Sequence, residues 1–326
     1  MRFAVQALWC FCDAYGPGAD GLPRCTHGWK LPSCSGEMLS MSGGSMPSPD
    51  EIRNAQRATW SRCATGWDKW DAVIRDQLGP VGTAIIESLG IAEGHQHLDI
   101  ASGTGEPGLS IARLSPKGRV VLTDLAPEML EVASRRADAL GFANIETKVC
   151  SADDLPFGDA TFDTVSVRFG YMFFPDVAKA TTEFVRVLKP GGRVCSSVWI
   201  RPEGNPWTSI VMQAIASEVD VAPTDDPDGP GMFRCAATGY VSGLYEAAGM
   251  HDIVEWDVCV ELVTTSPAQY WEMISEHVSS AVVALEQVDI PTRERIGAKV
   301  VANTRDYEKD GKVRIPGVAR CISGTT

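Results

Sequence analysis

The chain is 326 residues long, 44% hydrophobic, with a formal net charge of −13. That surplus of acid argues against a nucleic-acid partner, because phosphates select a basic surface. No apolar run approaches the roughly 18–20 residues that span a bilayer, so a soluble, cytoplasmic protein is expected, with ample apolar content for a core.

Residues 1–47 hold Gly, Pro, Ser and Cys with no helical or strand period beyond Phe3 to Cys12. They read as a disordered extension, or as a stretch upstream of a true start near Met38, Met41 or Met46. Arg2 and the short apolar run behind it also leave a weak signal peptide open. Organelle targeting stays open too, although Asp13, Asp20 and Glu37 are out of keeping with the acid-poor composition of a transit sequence. Cys10, Cys12, Cys25 and Cys34 lack the paired spacing of zinc sites. Cys63, Cys150, Cys195, Cys259 and Cys321 fall singly in predicted elements, where cysteine acts as a small apolar residue. No metal site is expected, and reducing surroundings are the simpler assumption.

Regular structure is expected from Ser48, which can cap a helix with Pro49 at its first position and Glu51 completing a capping box. Ile52, Trp60, Cys63, Trp67, Trp70 and Ile74 then recur at helical steps, placing three tryptophans on one stripe. Such a stripe serves as core, as a lid over a site, or as both, and Gly66 is where the helix is expected to divide. Residues 48–90 thus form a helical cap.

Residues 91–207 alternate strands and helices. A strand runs into Asp99 and a glycine turn, Gly103, Gly105 and Gly108, that opens a helix to Leu114. A second strand, Arg119 to Leu125, carries Asp124 about 20 residues after the turn, where a Rossmann-type sheet holds ribose hydroxyls. A helix from Pro127 to Leu140, a strand from Ile145 to Cys150, a strand from Thr161 to Gly170, a helix from Asp176 to Leu188 and a strand from Arg193 to Ile200 follow; Asn205 and Pro206 read as cap and first residue of another helix. Alternation of this kind implies parallel strands with helices on both faces and a ligand beyond the strands' C-terminal ends. The turn satisfies the dinucleotide fingerprint, yet Asp99 puts a carboxylate where a pyrophosphate would sit. Residues 208–326 are expected to complete the sheet with strands near 251–263 and 313–323, separated by a helical insertion over 267–307 that covers an acceptor pocket or packs against another copy.

From about Gly90 to Trp207 the chain resembles a class I S-adenosylmethionine-dependent methyltransferase of the ubiquinone/menaquinone-biosynthesis-like, methyltransferase type 11, small-molecule family. The resemblance rests on Leu98-Asp99-Ile100-Ala101-Ser102-Gly103-Thr104-Gly105, Thr123-Asp124-Leu125-Ala126-Pro127-Glu128-Met129-Leu130, Ala152-Asp153-Asp154-Leu155-Pro156-Phe157 and Leu188-Lys189-Pro190-Gly191-Gly192, in that order. Ala101 stands where many members have glycine, and Ser151 where many have aspartate. The resemblance implies a Rossmann-like, seven-stranded, mostly parallel sheet with an N-terminal helical lid, and S-adenosylmethionine as cofactor. Asp99 and the backbone of Ala101, Ser102, Gly103, Thr104 and Gly105 would then meet the methionine part. Asp124, followed by Leu125, would accept the ribose hydroxyls, and Met129 would lie against the adenine, with Ser151, Ala152 and Asp153 at its edge. Arg168 would lie where cofactor and acceptor meet, and His277, Tyr171 and Arg168 are the candidate catalytic groups.

The implied reaction is methyl transfer to a small, partly apolar acceptor (quinone-, phenol- or natural-product-like) at carbon, oxygen or nitrogen. The expected partner is that small molecule, and a homodimer stays open. A nicotinamide-dependent oxidoreductase and a non-catalytic S-adenosylmethionine-binding protein are the alternatives; the absence of any Tyr-x-x-x-Lys pair disfavours the short-chain form of the former.

Overall fold

Ser48 opens the first helix through two reciprocal bonds: its backbone N–H donates to the Glu51 carboxylate at 2.8 Å, and the Glu51 N–H donates to the Ser48 hydroxyl at 3.3 Å. The computed structural model describes residues 47–219 and 229–326. The expectations for residues 1–46, with Cys10, Cys12, Cys25 and Cys34, lie outside the described residues, as does most of the acidic stretch after Glu218.

Helix α1 (Pro49–Lys69) runs unbroken through Gly66; the break falls at Trp70, where α2 (Asp71–Leu89) begins. Gly66 is a contact point rather than a joint: a Cβ there would lie 2.2 Å from the carbonyl oxygen of Glu276. The predicted tryptophan stripe therefore spans the junction of two helices, with Trp60 and Trp67 on α1 and Trp70 at the break.

The sheet follows: β1 (Gln96–Ile100), α3 (Gly108–Leu114), β2 (Arg119–Asp124), α4 (Pro127–Ala139), β3 (Ile145–Val149), β4 (Phe162–Arg168), α5 (Val177–Val187) and β5 (Leu188–Trp199). Leu98, Val120, Leu122, Val165, Val167 and Val194 are all fully enclosed, as strands covered on both faces require. Beyond them lie α6 (Pro206–Ala216), α7 (Tyr240–Ala247), β6 (His251–Thr264), α8 (Pro267–His277), α9 (Ser279–Leu285), α10 (Ile290–Asn303), β7 (Glu308–Lys309) and β8 (Lys312–Thr325). The strand order is β3-β2-β1-β4-β5-β8-β6, parallel from β3 to β5, with β8 antiparallel between β5 and β6.

The sheet has eight strands, not the seven expected. The extra one, β7, is a two-residue partner of β8, formed because Asp310 and Gly311 both adopt positive φ (52° and 72°) and join Lys309 to Lys312 as a two-residue hairpin turn. Asn205 also departs from expectation. It makes no side-chain cap on α6; its Nδ2 donates to Ile200 and Val318 carbonyls at 3.0 and 3.2 Å, and its Oδ1 accepts from the Val318 N–H at 3.1 Å. It thereby ties the end of β5 to β8. The helices α8 to α10 fill the segment between β6 and β8, and α8 packs on α1. No helix among the described residues is long and apolar enough to cross a membrane.

Candidate active site

The glycine turn after β1 owes its shape to three successive left-handed positions, Ala101, Gly103 and Gly105, with φ of 52°, 53° and 113°. The turn is fixed from below by two aspartates. The Gly108 N–H, at the start of α3, donates to Asp99 Oδ2 at 2.9 Å, and the Ser166 hydroxyl donates to Asp99 Oδ1 at 2.6 Å. A Cβ on Gly108 would meet Leu122 Cδ2 at 2.2 Å and Asp99 Oδ2 at 2.9 Å, so the helix start is pressed onto that carboxylate. Asp124, at the end of β2, accepts the Gly103 N–H on one oxygen and the Ala126 N–H on the other, both at 2.9 Å. Burial raises its pKa, against the opposing pull of those backbone donors.

Burial also pushes the Asp99 carboxyl up to about 7 from the ordinary 3.8, its bonds from Ser166 and Gly108 notwithstanding. A carboxyl whose native pKa is raised contributes stability fully below its unfolded pKa and loses that contribution as pH rises through the native one. The melting temperature of the wild type is therefore expected to fall relative to that of Asp99→Asn between about pH 4 and pH 7. Parallel melting curves for the two proteins across that interval would refute this account.

Over the C-terminal ends of β1, β2, β4 and β5 lies a cavity with about 1250 Å³ of empty space, continuous with solvent. Its roof is α1, α2 and the start of α9. Ala101, Ser102, Gly103, Asp124, Leu125, Met129, Ser151, Ala152, Arg168 and His277 all line it. Asp99, Thr104, Gly105 and Asp153 do not; they stand behind the wall. Asp153 is taken by the lid helix instead: Arg53 donates to its two oxygens at 2.7 and 3.3 Å, and the Ser151 hydroxyl reaches it as well. One turn along α1, Arg57 donates to the Leu125 carbonyl at 3.2 Å. The lid is thus fastened to the two turns that flank the Asp124 side of the cavity.

Tyr171 is displaced from its expected role. Its ring packs against Phe174, Phe184 and Tyr245, and its hydroxyl bonds Thr181. The Thr181 hydroxyl already donates to the Val177 carbonyl at 2.6 Å, so Tyr171 must be the donor and its proton is committed. Burial raises its pKa further from ionisation. His277 does face the cavity, at the last turn of α8. Its Nδ1 lies 2.7 Å from the Met273 carbonyl, which can only accept, so the proton is on Nδ1 and Nε2 is an acceptor. Burial lowers its pKa to about 4.

Sequence reasoning placed Trp60 and Trp67 on a lid stripe but missed the rest of the wall. Trp60 and Phe173 meet edge to face at 5.1 Å, Phe169 stacks on Trp199 at 4.2 Å, and Trp199 abuts Trp207 at 4.9 Å. Gln56, Gln77 and Glu106 join them. Phe169, like Ala101, holds a positive φ, 59°, which is uncommon for a bulky side chain and typical of residues held in place at functional sites.

The residues present suit S-adenosylmethionine. A Cβ built on Gly103 meets no atom within 4 Å, and the Ser102 hydroxyl and the Gln77 amide nitrogen are buried with no hydrogen-bond partner among the described residues. The wall therefore offers a cradle of backbone and polar atoms that a bound nucleoside would complete.

Comparison with known proteins agrees. Residues 57–209 match the ubiE/COQ5 methyltransferase family. The chain is 44% identical over 99 residues to the demethylmenaquinone methyltransferase of Thermus thermophilus, covering 30% of this chain and 44% of that protein. It is 38% identical over 127 residues to the ubiquinone/menaquinone biosynthesis C-methyltransferase UbiE of Pasteurella multocida, covering 38% and 47%. The chain thus spans just under half the length of these relatives. Among solved structures, Haemonchus contortus phosphoethanolamine N-methyltransferase 2, with phosphomonomethylethanolamine and S-adenosylhomocysteine bound, superposes with a TM-score of 0.53 at 18% identity, over 83% of this chain and 60% of that one. A chain of the complex between the Haloferax volcanii Trm112 methyltransferase activator and a methyltransferase gives a TM-score of 0.50 at 15% identity, over 84% and 96%. Both show the Rossmann-like fold. Residues 57–209 are thus similar in sequence to methyltransferases of the ubiE/COQ5 type.

Proposed function

We propose that this chain, whose residues 57–209 match the ubiE/COQ5 methyltransferase family, transfers a methyl group from S-adenosylmethionine to a small, partly apolar acceptor of quinone, phenol or related natural-product type. One observation carries the choice of cofactor: the Gly108 N–H at the start of α3, where a dinucleotide's pyrophosphate would dock, is already taken by the Asp99 carboxylate. A phosphate cannot enter there against a fixed acceptor. Asp124, with each oxygen holding one backbone N–H, keeps lone pairs for a ribose diol.

In this reading residues 48–90 cap the site, 91–207 bind the cofactor and 208–326 complete the acceptor side. The bound cofactor supplies a sulfonium-activated methyl group. The chain's own part is to bind, orient and exclude water: Trp60, Trp67, Phe173 and Trp207 give a dry aromatic enclosure. Its preference for a flat apolar acceptor over nucleic acid accords with that wall and with the net charge of −13. A cytoplasmic site of action belongs to the same reading.

His277, lowered to about 4, is too weak a base to take a proton from a phenol but well placed to accept a hydrogen bond from one through Nε2. The acceptor's own ionisation then governs the rate. His277→Ala is expected to slow turnover on the order of 10-fold, the loss of one positioning hydrogen bond, while leaving the pH–rate curve unchanged in shape. A limb of that curve abolished by the substitution would restore His277 as the base. The reading as a whole is tested with methyl-labelled S-adenosylmethionine and a panel of quinols and phenols. Label is expected in an organic-extractable product; calorimetric binding of NAD in preference to S-adenosylhomocysteine would overturn it.

A further inference from the structure

Helix α2 begins at Trp70 and lays a stripe of Ile74, Leu78, Val81 and Ile85 against the core, all nearly or fully enclosed. Gln77 interrupts that stripe. It is 2% exposed, lines the cavity beside Ile74 and Leu78, and its amide nitrogen has no hydrogen-bond partner among the described residues. A half-turn about the last side-chain torsion exchanges the amide's two ends, so either can face the cavity. In both settings a buried polar group stays unpaired until a ligand meets it, and such groups call for an explanation.

Two further features say which part of a ligand this is. Apart from Asp124 and His277, the titratable groups lining the cavity are Arg168, Glu106 and Cys150. Arg168 at the end of β4 has no hydrogen bond among the described residues, and the charges acting on it are Glu106, Asp99 and Asp71, the last being the first residue of α2. A cation and an anion side by side, at the Ala101–Glu106 end of the glycine turn and next to the orphaned Ser102 hydroxyl, complement a zwitterion. The aromatic walls complement none.

We propose that Gln77 reads the amino-acid end of the nucleoside cofactor, its amide N–H donating to the α-carboxylate alongside Arg168, while Glu106 faces the ammonium. This rests on the S-adenosylmethionine reading above and adds a binding residue from α2, outside the nucleotide-fold motifs. It makes the second helix of the cap, as well as the glycine turn, a determinant of which adenosine thioether is accepted.

The test compares two ligands by calorimetry: S-adenosylhomocysteine, and 5′-methylthioadenosine, which keeps the nucleoside and the sulfur but lacks the amino-acid end. Gln77→Leu is expected to weaken S-adenosylhomocysteine about 10-fold, the loss of one hydrogen bond to a charged group, and to leave methylthioadenosine within about twofold. The isosteric Gln77→Glu should lose still more for S-adenosylhomocysteine, because a carboxylate would face a carboxylate, again with methylthioadenosine unchanged. Retained methylthioadenosine binding shows that each variant is folded. An affinity ratio equal to that of the wild type, or equal losses for both ligands, overturns the proposal, including the case where only acceptor turnover falls. If the wild type binds neither ligand, the cofactor reading itself fails, which is a distinguishable result.

Discussion

Replacing Asp124 with alanine is expected to weaken S-adenosylhomocysteine on the order of 100-fold, about 2.7 kcal/mol, since hydrogen bonds to a charged group contribute roughly 1.5–3 kcal/mol each. Two effects add. The carboxylate that would hold the ribose diol disappears, and the N–H groups of Gly103 and Ala126 lose the acceptor that fixes the turn at 2.9 Å. Methylthioadenosine should suffer to a similar degree, because it carries the same ribose; that separates Asp124 from Gln77, whose loss touches only the ligand with a carboxylate. Asp124→Asn keeps one acceptor and should fall between wild type and alanine. An unchanged affinity for either ligand in Asp124→Ala would remove the ribose from this place in the cavity.

The two aspartates show how far such a site can be read without coordinates. Asp99 and Asp124 both stand out as carboxylates at strand ends around a glycine turn, and both were expected to touch the cofactor. Only Asp124 faces the cavity. Asp99 instead meets the Ser166 hydroxyl of the neighbouring strand β4 and the Gly108 N–H at the start of α3, on the face of the sheet that α3 covers. One-dimensional spacing places a residue at the end of a strand but does not say which side of the turn it serves. Asp153 was lost for a different reason: its partner, Arg53, is 100 residues away on a helix whose docking no local pattern specifies.

The regular elements were legible because their signals are local. The Ser48–Glu51 cap, the apolar strands and the order of helices along 91–207 follow from short-range periodicity and capping chemistry. Gln77 carries a local signal as well, a polar side chain inside the apolar stripe Ile74, Leu78, Val81, but one polar residue on a helix face does not by itself say whether it meets a ligand or solvent. Asp310-Gly311 is a strong hairpin signal that predicts β7, and it falls in the unassigned gap between the helical insertion ending at 307 and the strand beginning near 313. By contrast, the aromatic wall sets Trp60 of α1 against Phe173, more than 100 residues away, and lines the same cavity with Trp199 and Trp207 from the end of β5 and the start of α6, a gathering that only the assembled sheet and cap produce. Tyr171 fails for the same reason in reverse: it sits at the correct strand end, but packing against Phe184 and Tyr245 turns it away.

Gly66 offers the sharpest test of the enclosure. A glycine inside a helix normally costs about 0.5–1 kcal/mol relative to alanine, so Gly66→Ala would stabilise an isolated α1. Here the added methyl would lie 2.2 Å from the Glu276 carbonyl oxygen and 2.7 Å from its carbon. Both obstacles are backbone, which cannot rotate aside, and overpacking of this kind costs about 1–3 kcal/mol. The clash outweighs the helix preference, and α1 must lift from α8. Lifting breaks the bond from Trp67 Nε1 to the His277 carbonyl, 3.1 Å, and the edge contact of the two rings at 5.8 Å. It also separates Lys69 from Glu272 and Glu276. The Asp124 side of the cavity does not depend on that end of the lid, because Arg53 and Arg57 fasten it to Asp153 and Leu125 roughly two and a half to three and a half turns earlier. Gly66→Ala is therefore expected to bind S-adenosylhomocysteine within about threefold of wild type, yet to lose turnover on the order of 10-fold or more as water and misaligned acceptor enter. Its tryptophan emission should shift to the red as Trp67 is exposed. Wild-type turnover with an unshifted emission would mean that α1 and α8 close the site by some other contact than this backbone approach.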